Sequence, residues 1–126
     1  TRAMRNTGVV IIQIEGNSIA LNELQSWRSD NDRSMQHELA VGDVNGDGYV
    51  DLVSLDAGEQ MLEIFTFTDN EKMLYATGFK IFESRIFSGG EPREFQPSQI
   101  IITDLTGDNQ NDVLLLSHDR LILYRQ

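Results

Sequence analysis

The chain contains no cysteine. That excludes a disulfide framework, a thiolate metal site and a cysteine nucleophile, and it removes the usual clue to a redox compartment. Long apolar runs are missing too. The stretch from Val9 to Ile12 is far shorter than the roughly 20 residues a helical bilayer span requires. Thr1-Arg2-Ala3-Met4-Arg5 leads into that stretch without the length or cleavage site of a signal peptide, so any export signal is expected to have been removed or never to have existed. Positive charge is scarce. Ten Lys and Arg face 20 Asp and Glu, for a formal charge of -10 in 126 residues. Nucleic-acid backbones and anionic membranes would be repelled, which leaves cations as the natural counterpart. Helix signals are nearly absent: only Met35 to Ala40 reads as a helical turn, and it is short.

What is present is a series of short strands. Apolar content of 40% supports a core. Stretches rich in Val, Ile, Leu and Phe, bounded by Gly, Asn, Asp or Ser, predict strands over Val9–Ile14, Ser18–Asn22, Glu38–Gly42, Leu52–Leu55, Met61–Thr68, Leu74–Phe82, Gln99–Thr103, Val113–Leu116 and Leu121–Tyr124. Runs such as Ile100-Ile101-Ile102 and Val113-Leu114-Leu115-Leu116 are apolar on both faces, which predicts sheets covered on both sides.

The chain also repeats itself. Leu39 to Val53 aligns without a gap on Ile100 to Leu114, and Asp104 follows Asp43 by 61 residues. Asp43, Asp47 and Asp51 fall on Asp104, Asp108 and Asp112, and Gly46 falls on Gly107. Ile12-Gln13-Ile14-Glu15-Gly16-Asn17 resembles the strand and turn that begin at Val53, so a third, partial copy stands first. The expected organisation is a partial repeat over 1–36, a full repeat over 37–96 with an acidic loop at 43–51, and an incomplete repeat over 97–126 with a second loop at 104–112. Both ends then cut a repeat, as in a fragment of a longer array.

In Asp43-x-Asn45-x-Asp47-Gly48-Tyr49-x-Asp51, oxygen side chains stand at positions 1, 3, 5 and 9, and Tyr49 can offer its carbonyl. Hard oxygen ligands in a tight loop suit Ca²⁺. Gly48 permits the sharp turn. Crowded carboxylates repel one another unless a cation binds, so the loop is expected to be poorly ordered without metal. The second loop, Asp104-x-Thr106-x-Asp108-Asn109-Gln110-x-Asp112, is a poorer copy, with Thr106 a weaker ligand and Asn109 in place of glycine. Asn tolerates a positive φ better than most residues, so the same ion is expected at lower affinity. No His or Cys lies in either loop, which disfavours transition metals. The plain alternative is an Asx turn between strands, against which two in-register copies weigh. An EF-hand or dockerin loop would want an acidic residue where Ser54 and Leu115 stand, and a helix where Leu52-Val53-Ser54-Leu55 reads as a strand.

Strand, Asp-x-Asn-Gly-Asp-Gly-x-x-Asp, strand, repeated near sixty residues, resembles the FG-GAP or VCBS-type repeat of integrin α-chain propellers and many secreted bacterial proteins. The resemblance covers Glu38 to Tyr124 well and Gly8 to Trp27 loosely. It implies an all-β fold of β-propeller blades, each a four-stranded antiparallel sheet, with about two blades and a partial one here. It also implies that a loop between each blade's first two strands holds structural Ca²⁺. The implied metal ligands are Asp43, Asn45, Asp47, Tyr49 and Asp51, then Asp104, Thr106, Asp108, Gln110 and Asp112. Phe-Gly and Gly-Ala-Pro are absent, with Gly78-Phe79 reversed, so the bacterial type fits better and no integrin ligand role carries over.

Propellers need roughly four to eight blades, so the remaining blades would come from a longer parent chain or from self-association. The expected role is binding or scaffolding towards a protein or glycan, without enzymatic activity, in a secreted, cell-surface or periplasmic setting where calcium is plentiful. The alternative is the propeller scaffold of a secreted polysaccharide lyase or hydrolase, for which Lys72 and Tyr75 are weak candidates. Other features read plainly. His118, beside Ser117 and Asp119, reads as a turn residue rather than part of a triad. Glu59, Glu63, Glu91 and Glu94 read as solvated. Trp27, Phe65, Phe67, Phe79, Phe82 and Phe87 read mostly as core. Ser88-Gly89-Gly90-Glu91-Pro92 reads as a loop and Arg28 to Arg33 as a connector.

Overall fold

A computed structural model describes residues 6–28, 34, 36–56, 59–68, 72–81, 97–117 and 120–126, and these contain nine strands and no helix. All pairings are antiparallel, and the strands form three sheets in chain order. β1 (Asn6–Glu15) and β2 (Ser18–Arg28) make a two-stranded sheet. β3 (Gln36–Gly42), β4 (Asp51–Asp56), β5 (Met61–Phe67) and β6 (Met73–Lys80) make a four-stranded meander. β7 (Pro97–Thr103), β8 (Asp112–Ser117) and β9 (Arg120–Tyr124) make a three-stranded one.

Each expected strand is present, with shifted ends. Most of the stretch read as a helical turn is β3, because its backbone groups pair with β4 from Gln36↔Asp56 to Gly42↔Asp51. Pairing along a whole strand outweighs weak local propensity. Arg28, read as part of a connector, closes β2. The histidine at 118, the carboxylates at 91 and 94, the phenylalanines at 82 and 87 and the loop at 88–92 lie outside the described residues.

The repeat in sequence is a repeat in register. β3 against β4 breaks step between Gln36 and Glu38, and β7 against β8 breaks step between Pro97 and Gln99, 61 residues later. Gly42↔Asp51 in one sheet answers Thr103↔Asp112 in the other. The turns after β4 and β8 differ in length, so Leu55↔Leu62 answers Leu116↔Leu121.

The middle sheet is apolar on both faces along its inner strands, where both faces are covered. Its β4 is buried along its whole length. Val53, Leu55 and Leu62 pack against Ile100, Val113 and Leu115 of the last sheet, with Ile64, Phe79, Ile102 and Tyr124 around them. Phe79 and Tyr124 meet at 4.9 Å between ring centroids. On the opposite face Leu52, Phe65 and Met73 pack with Trp27 of β2 and with Phe67. There Trp27 meets Phe65 edge-on at 4.9 Å and stacks on Tyr75 at 5.8 Å, a mutual arrangement that the ring quadrupoles favour. Neighbours on a strand point to opposite faces, so one apolar run serves two interfaces.

The close approach of the two larger sheets depends on Gly42. A Cβ built there would lie 2.6 Å from Cγ2 and 3.2 Å from Cβ of Ile102. Ile102 is β-branched and stiff at χ1, so it cannot swing aside.

Glu63, expected to be solvated, is only 6% exposed, and Gln36 Nε2 donates to its Oε2 at 2.9 Å. Burial pushes its carboxyl above the ordinary 4.5; the Gln36 hydrogen bond opposes this and the charge of Asp56 adds to it. Desolvation of its own hydroxyl, and then the charge of Glu63, raise Tyr75 above its ordinary value.

Two outcomes follow. Gly42→Ala should lower stability in urea denaturation by about 1–3 kcal/mol through overpacking. In a double-mutant cycle with Ile102→Ala the losses should fall short of additive, and full additivity would dismiss the clash. Glu63 has a raised pKa in the fold, so its contribution to stability is complete below about 4.5 and is lost as pH rises through the raised value. Glu63→Gln should therefore gain on the wild type in melting temperature between pH 4 and pH 7, and parallel profiles would refute the assignment.

Candidate functional site

The two acidic loops occupy equivalent places. Residues 43–51 join β3 to β4, and residues 104–112 join β7 to β8. Each therefore connects the first two strands of its sheet. Strands alone cannot make this corner, and the backbone shows how the sequence does. Gly46 and Gly48 have φ of 78° and 86°, and Gly107 and Asn109 have 77° and 65°. Both copies thus use the left-handed region at the same two positions. Asn109 takes it where the first loop has glycine, as its short polar side chain allows.

Carboxylates organise the turn. Asp43 Oδ1 accepts the main-chain N–H of Gly46 at 2.7 Å and of Asn45 at 3.3 Å, and its Oδ2 accepts that of Gly48 at 2.9 Å. Asn45 Oδ1 accepts from Asp47 N–H at 2.9 Å, and Asn45 Nδ2 donates to Asp47 Oδ2 at 2.9 Å. Tyr49 joins through its main chain, donating to Asp47 Oδ1 at 2.8 Å, while its ring is 46% exposed. In the second loop Asp104 accepts from Gly107 at 2.6 Å, Asp108 at 3.3 Å and Asn109 at 2.9 Å. Asp108 Oδ1 accepts from Gln110 N–H at 3.0 Å. Asp108 Oδ2 lies 3.7 Å from Arg125, an exposed pair of little energetic weight.

The closing aspartates differ from the rest. Asp51 and Asp112 open β4 and β8 and are fully buried. Asp51 Oδ2 accepts from Val44 N–H at 2.9 Å; Asp112 Oδ2 accepts from Leu105 at 3.0 Å and Thr106 at 3.1 Å. Each thereby ties the end of its loop to the beginning. The other oxygen of each, Oδ1, is buried without a hydrogen-bond partner, and no other carboxylate oxygen among the described residues is in that position. An ionised oxygen deprived of water is costly, and it invites a cation.

The same donors bias the charge. Gly48 N–H foremost, and then those of Gly46, Asn45 and Asp47, hold the Asp43 carboxyl below the ordinary range against the opposing effect of burial. Burial pushes the Asp112 carboxyl up, but the N–H groups of Leu105 and Thr106, the Thr106 hydroxyl and the nearby amide of Gln126 outweigh it, so it is lowered on balance. Both aspartates are anionic at neutral pH.

Asp43, Asn45 and Asp47 are thus drawn together, as are Asp104 and Asp108, and Asp51 and Asp112 are joined to the opposite ends of their loops. Thr106 reaches Asp112 through its amide, and Gln110 reaches Asp108 through its amide. Among the described residues no three Asp, Glu or His side chains converge on one point; the acceptors turn to the loop's own amides. The donor set nevertheless fits a hard divalent cation. It is all oxygen, it carries three carboxylates per loop, and each loop holds one buried oxygen in need of a positive partner. The ligands at hand are Asp43, Asn45, Asp47, the Tyr49 main chain and Asp51, and their counterparts in the second loop.

Local spacing gave no sign of two further partners. Asn45 Nδ2 reaches Thr66 Oγ1 of β5 at 3.3 Å, and Asn111 Nδ2 donates to the main-chain oxygen of Asp43 at 2.9 Å. Both contacts cross between elements distant in sequence. Comparison with family models, curated proteins and solved structures finds no match to the chain.

In chelator, Asp51→Ala should cost about 1–3 kcal/mol in urea denaturation, since it orphans the Val44 N–H, while Asp51→Asn should cost less because it retains an acceptor. Equal losses would show that the hydrogen bond to Val44 does not hold the corner.

Proposed function

We propose that the chain is a run of calcium-stabilised β-propeller blades whose ions are structural and whose role is binding or scaffolding. The observation that carries this reading is the matched pair of buried, unpartnered oxygens on Asp51 and Asp112, each at the head of a sheet's second strand. A divalent ion in either loop would neutralise that oxygen and relieve the repulsion among its carboxylates. It would pin the corner between two strands; no bond is made or broken.

Packing supports the blade reading. The exposed face of the last sheet carries Ile101, Leu116, Leu121 and Leu123. By register these answer Ala40, Leu55, Leu62 and Ile64 of the middle sheet, all of which pack into the interface with the last sheet. The sequence thus prepares this face for one more sheet of the same kind, supplied by a longer parent chain or by another copy. Stacked units that each bury only their neighbours behave this way. Weak sites stabilise a fold only when free ion exceeds the dissociation constant, so the proposed setting is secreted, cell-surface or periplasmic. The ligand class is protein or glycan, presented to loops at the ends of the blades.

Calcium titration with thermal melting tests the reading. Calcium at a hundredfold excess over its dissociation constant should add about 2.7 kcal/mol per site and raise the melting temperature. Asp47→Ala should remove most of the rise. Asp51→Asn should keep most of the wild type's stability in chelator, because it retains an acceptor for Val44, and gain less than the wild type from calcium. A wild type that does not respond to calcium, or an Asp47→Ala variant that responds as fully as the wild type, would refute the assignment.

A further inference from the structure

The two loops are close neighbours in space although 61 residues separate their first aspartates. Asn111 immediately precedes Asp112, the buried aspartate of the second loop. Its side chain leaves that loop and donates to the main-chain oxygen of Asp43, the first residue of the other loop, at 2.9 Å. Asp43 is the residue on which the first loop closes, through three of its own amides. The bond therefore joins the opening of one loop to the closure of the other. A second connection runs alongside. The side-chain amide of Gln126 lies 3.4 Å from where a Cβ on Gly46 would stand, while the main-chain amide of Gln126 lies near Asp112. Val44 of the first loop and Tyr124 beside the second also share one apolar cluster.

We infer that the two loops bind divalent cations cooperatively, coupled by the hydrogen bond from Asn111 to the Asp43 main chain. This rests on the calcium reading of the loops. Ion binding at the first loop fixes the Asp43 peptide and so the acceptor of Asn111. Asn111 is bonded in sequence to Asp112, so part of the ordering needed for the second ion is already done when that ion arrives. Linkage makes the effect reciprocal: whatever the first ion does for the second, the second does for the first. One neutral hydrogen bond places the coupling at the low end of the usual range, about fivefold in affinity.

Calorimetric titration of calcium into the full chain measures it. Asp47→Ala and Asp108→Ala each leave one working loop. The product of the two stepwise binding constants of the wild type, divided by the product of the two single-loop constants, is the coupling factor. It should be about five. Repeated in an Asn111→Ser background, it should fall to about one, with two ions still bound. That substitution enlarges an existing cavity of about 150 Å³ lined by Val44, Asn111, Tyr124 and Gln126, so it introduces no clash. Circular dichroism confirms that every variant keeps its strands. A factor near one in the wild type, or an unchanged factor without Asn111, would overturn the coupling and leave the calcium sites standing. No calcium binding in any variant would overturn the sites and the coupling together.

Discussion

A buried carboxylate whose one oxygen is bonded and whose other is bare governs this architecture. Asp51 and Asp112 stand at the junction of loop and strand, where the chain has just turned back on itself. The bonded oxygen gathers the amides that begin the loop. That is a structural task, and asparagine could perform much of it. The other oxygen has no hydrogen-bond partner among the described residues, and a buried polar atom without one is unfavourable. Its presence twice, at equivalent positions, is the observation on which the proposed cation sites rest. Strand registers, glycine positions and loop closure all serve to deliver the aspartate to that place.

The corner matters because of how the sheets are stacked. β4 is covered on both faces, so it must satisfy two packing partners at once. That demand explains the unbroken burial of β4 and the lack of hydrophobic alternation along it. It also explains Gly42. The strand that feeds the first loop passes so near Ile102 that no side chain fits between them. A corner that drifted would move Gly42 and reopen the interface that Val53, Leu55 and Leu62 share with Ile100, Val113 and Leu115. Loop geometry and sheet packing are therefore parts of one constraint.

Much of this was legible in the sequence, and the remainder was hidden for a physical reason. The strands are visible because β-branched and aromatic residues cluster between turn formers. The repeat is visible because the loop needs a carboxylate at fixed intervals, and its register fixes the rest. Asn109 was readable as a left-handed residue because that preference is local. Glu63 was misread as solvated, since its burial depends on Gln36 on another strand. Residues 36–40 look helical when isolated and are a strand because β4 lies beside them. Asn111 carried no signal at all. Position eight of the loop is not among the expected ligands, and its partner belongs to the other copy.

That position differs between the two loops. Asn111 in the second loop corresponds to Val50 in the first. Asn111 spans back to the preceding loop with a hydrogen bond; Val50 has no donor to offer. It is instead 55% exposed and lines an apolar cavity of about 320 Å³ with Val41, Tyr49, Leu52 and Phe67. A polar bridge is directional and fixes relative placement, whereas apolar contact rewards burial with little preference for angle. The join between the middle and last sheets thus carries a directional contact where the loops meet. On the other side of the middle sheet, the contact among the described residues is that of Trp27 with Phe65 and Tyr75. Among the described residues, one junction thus carries a polar bridge at the loops and the other is made by ring contact.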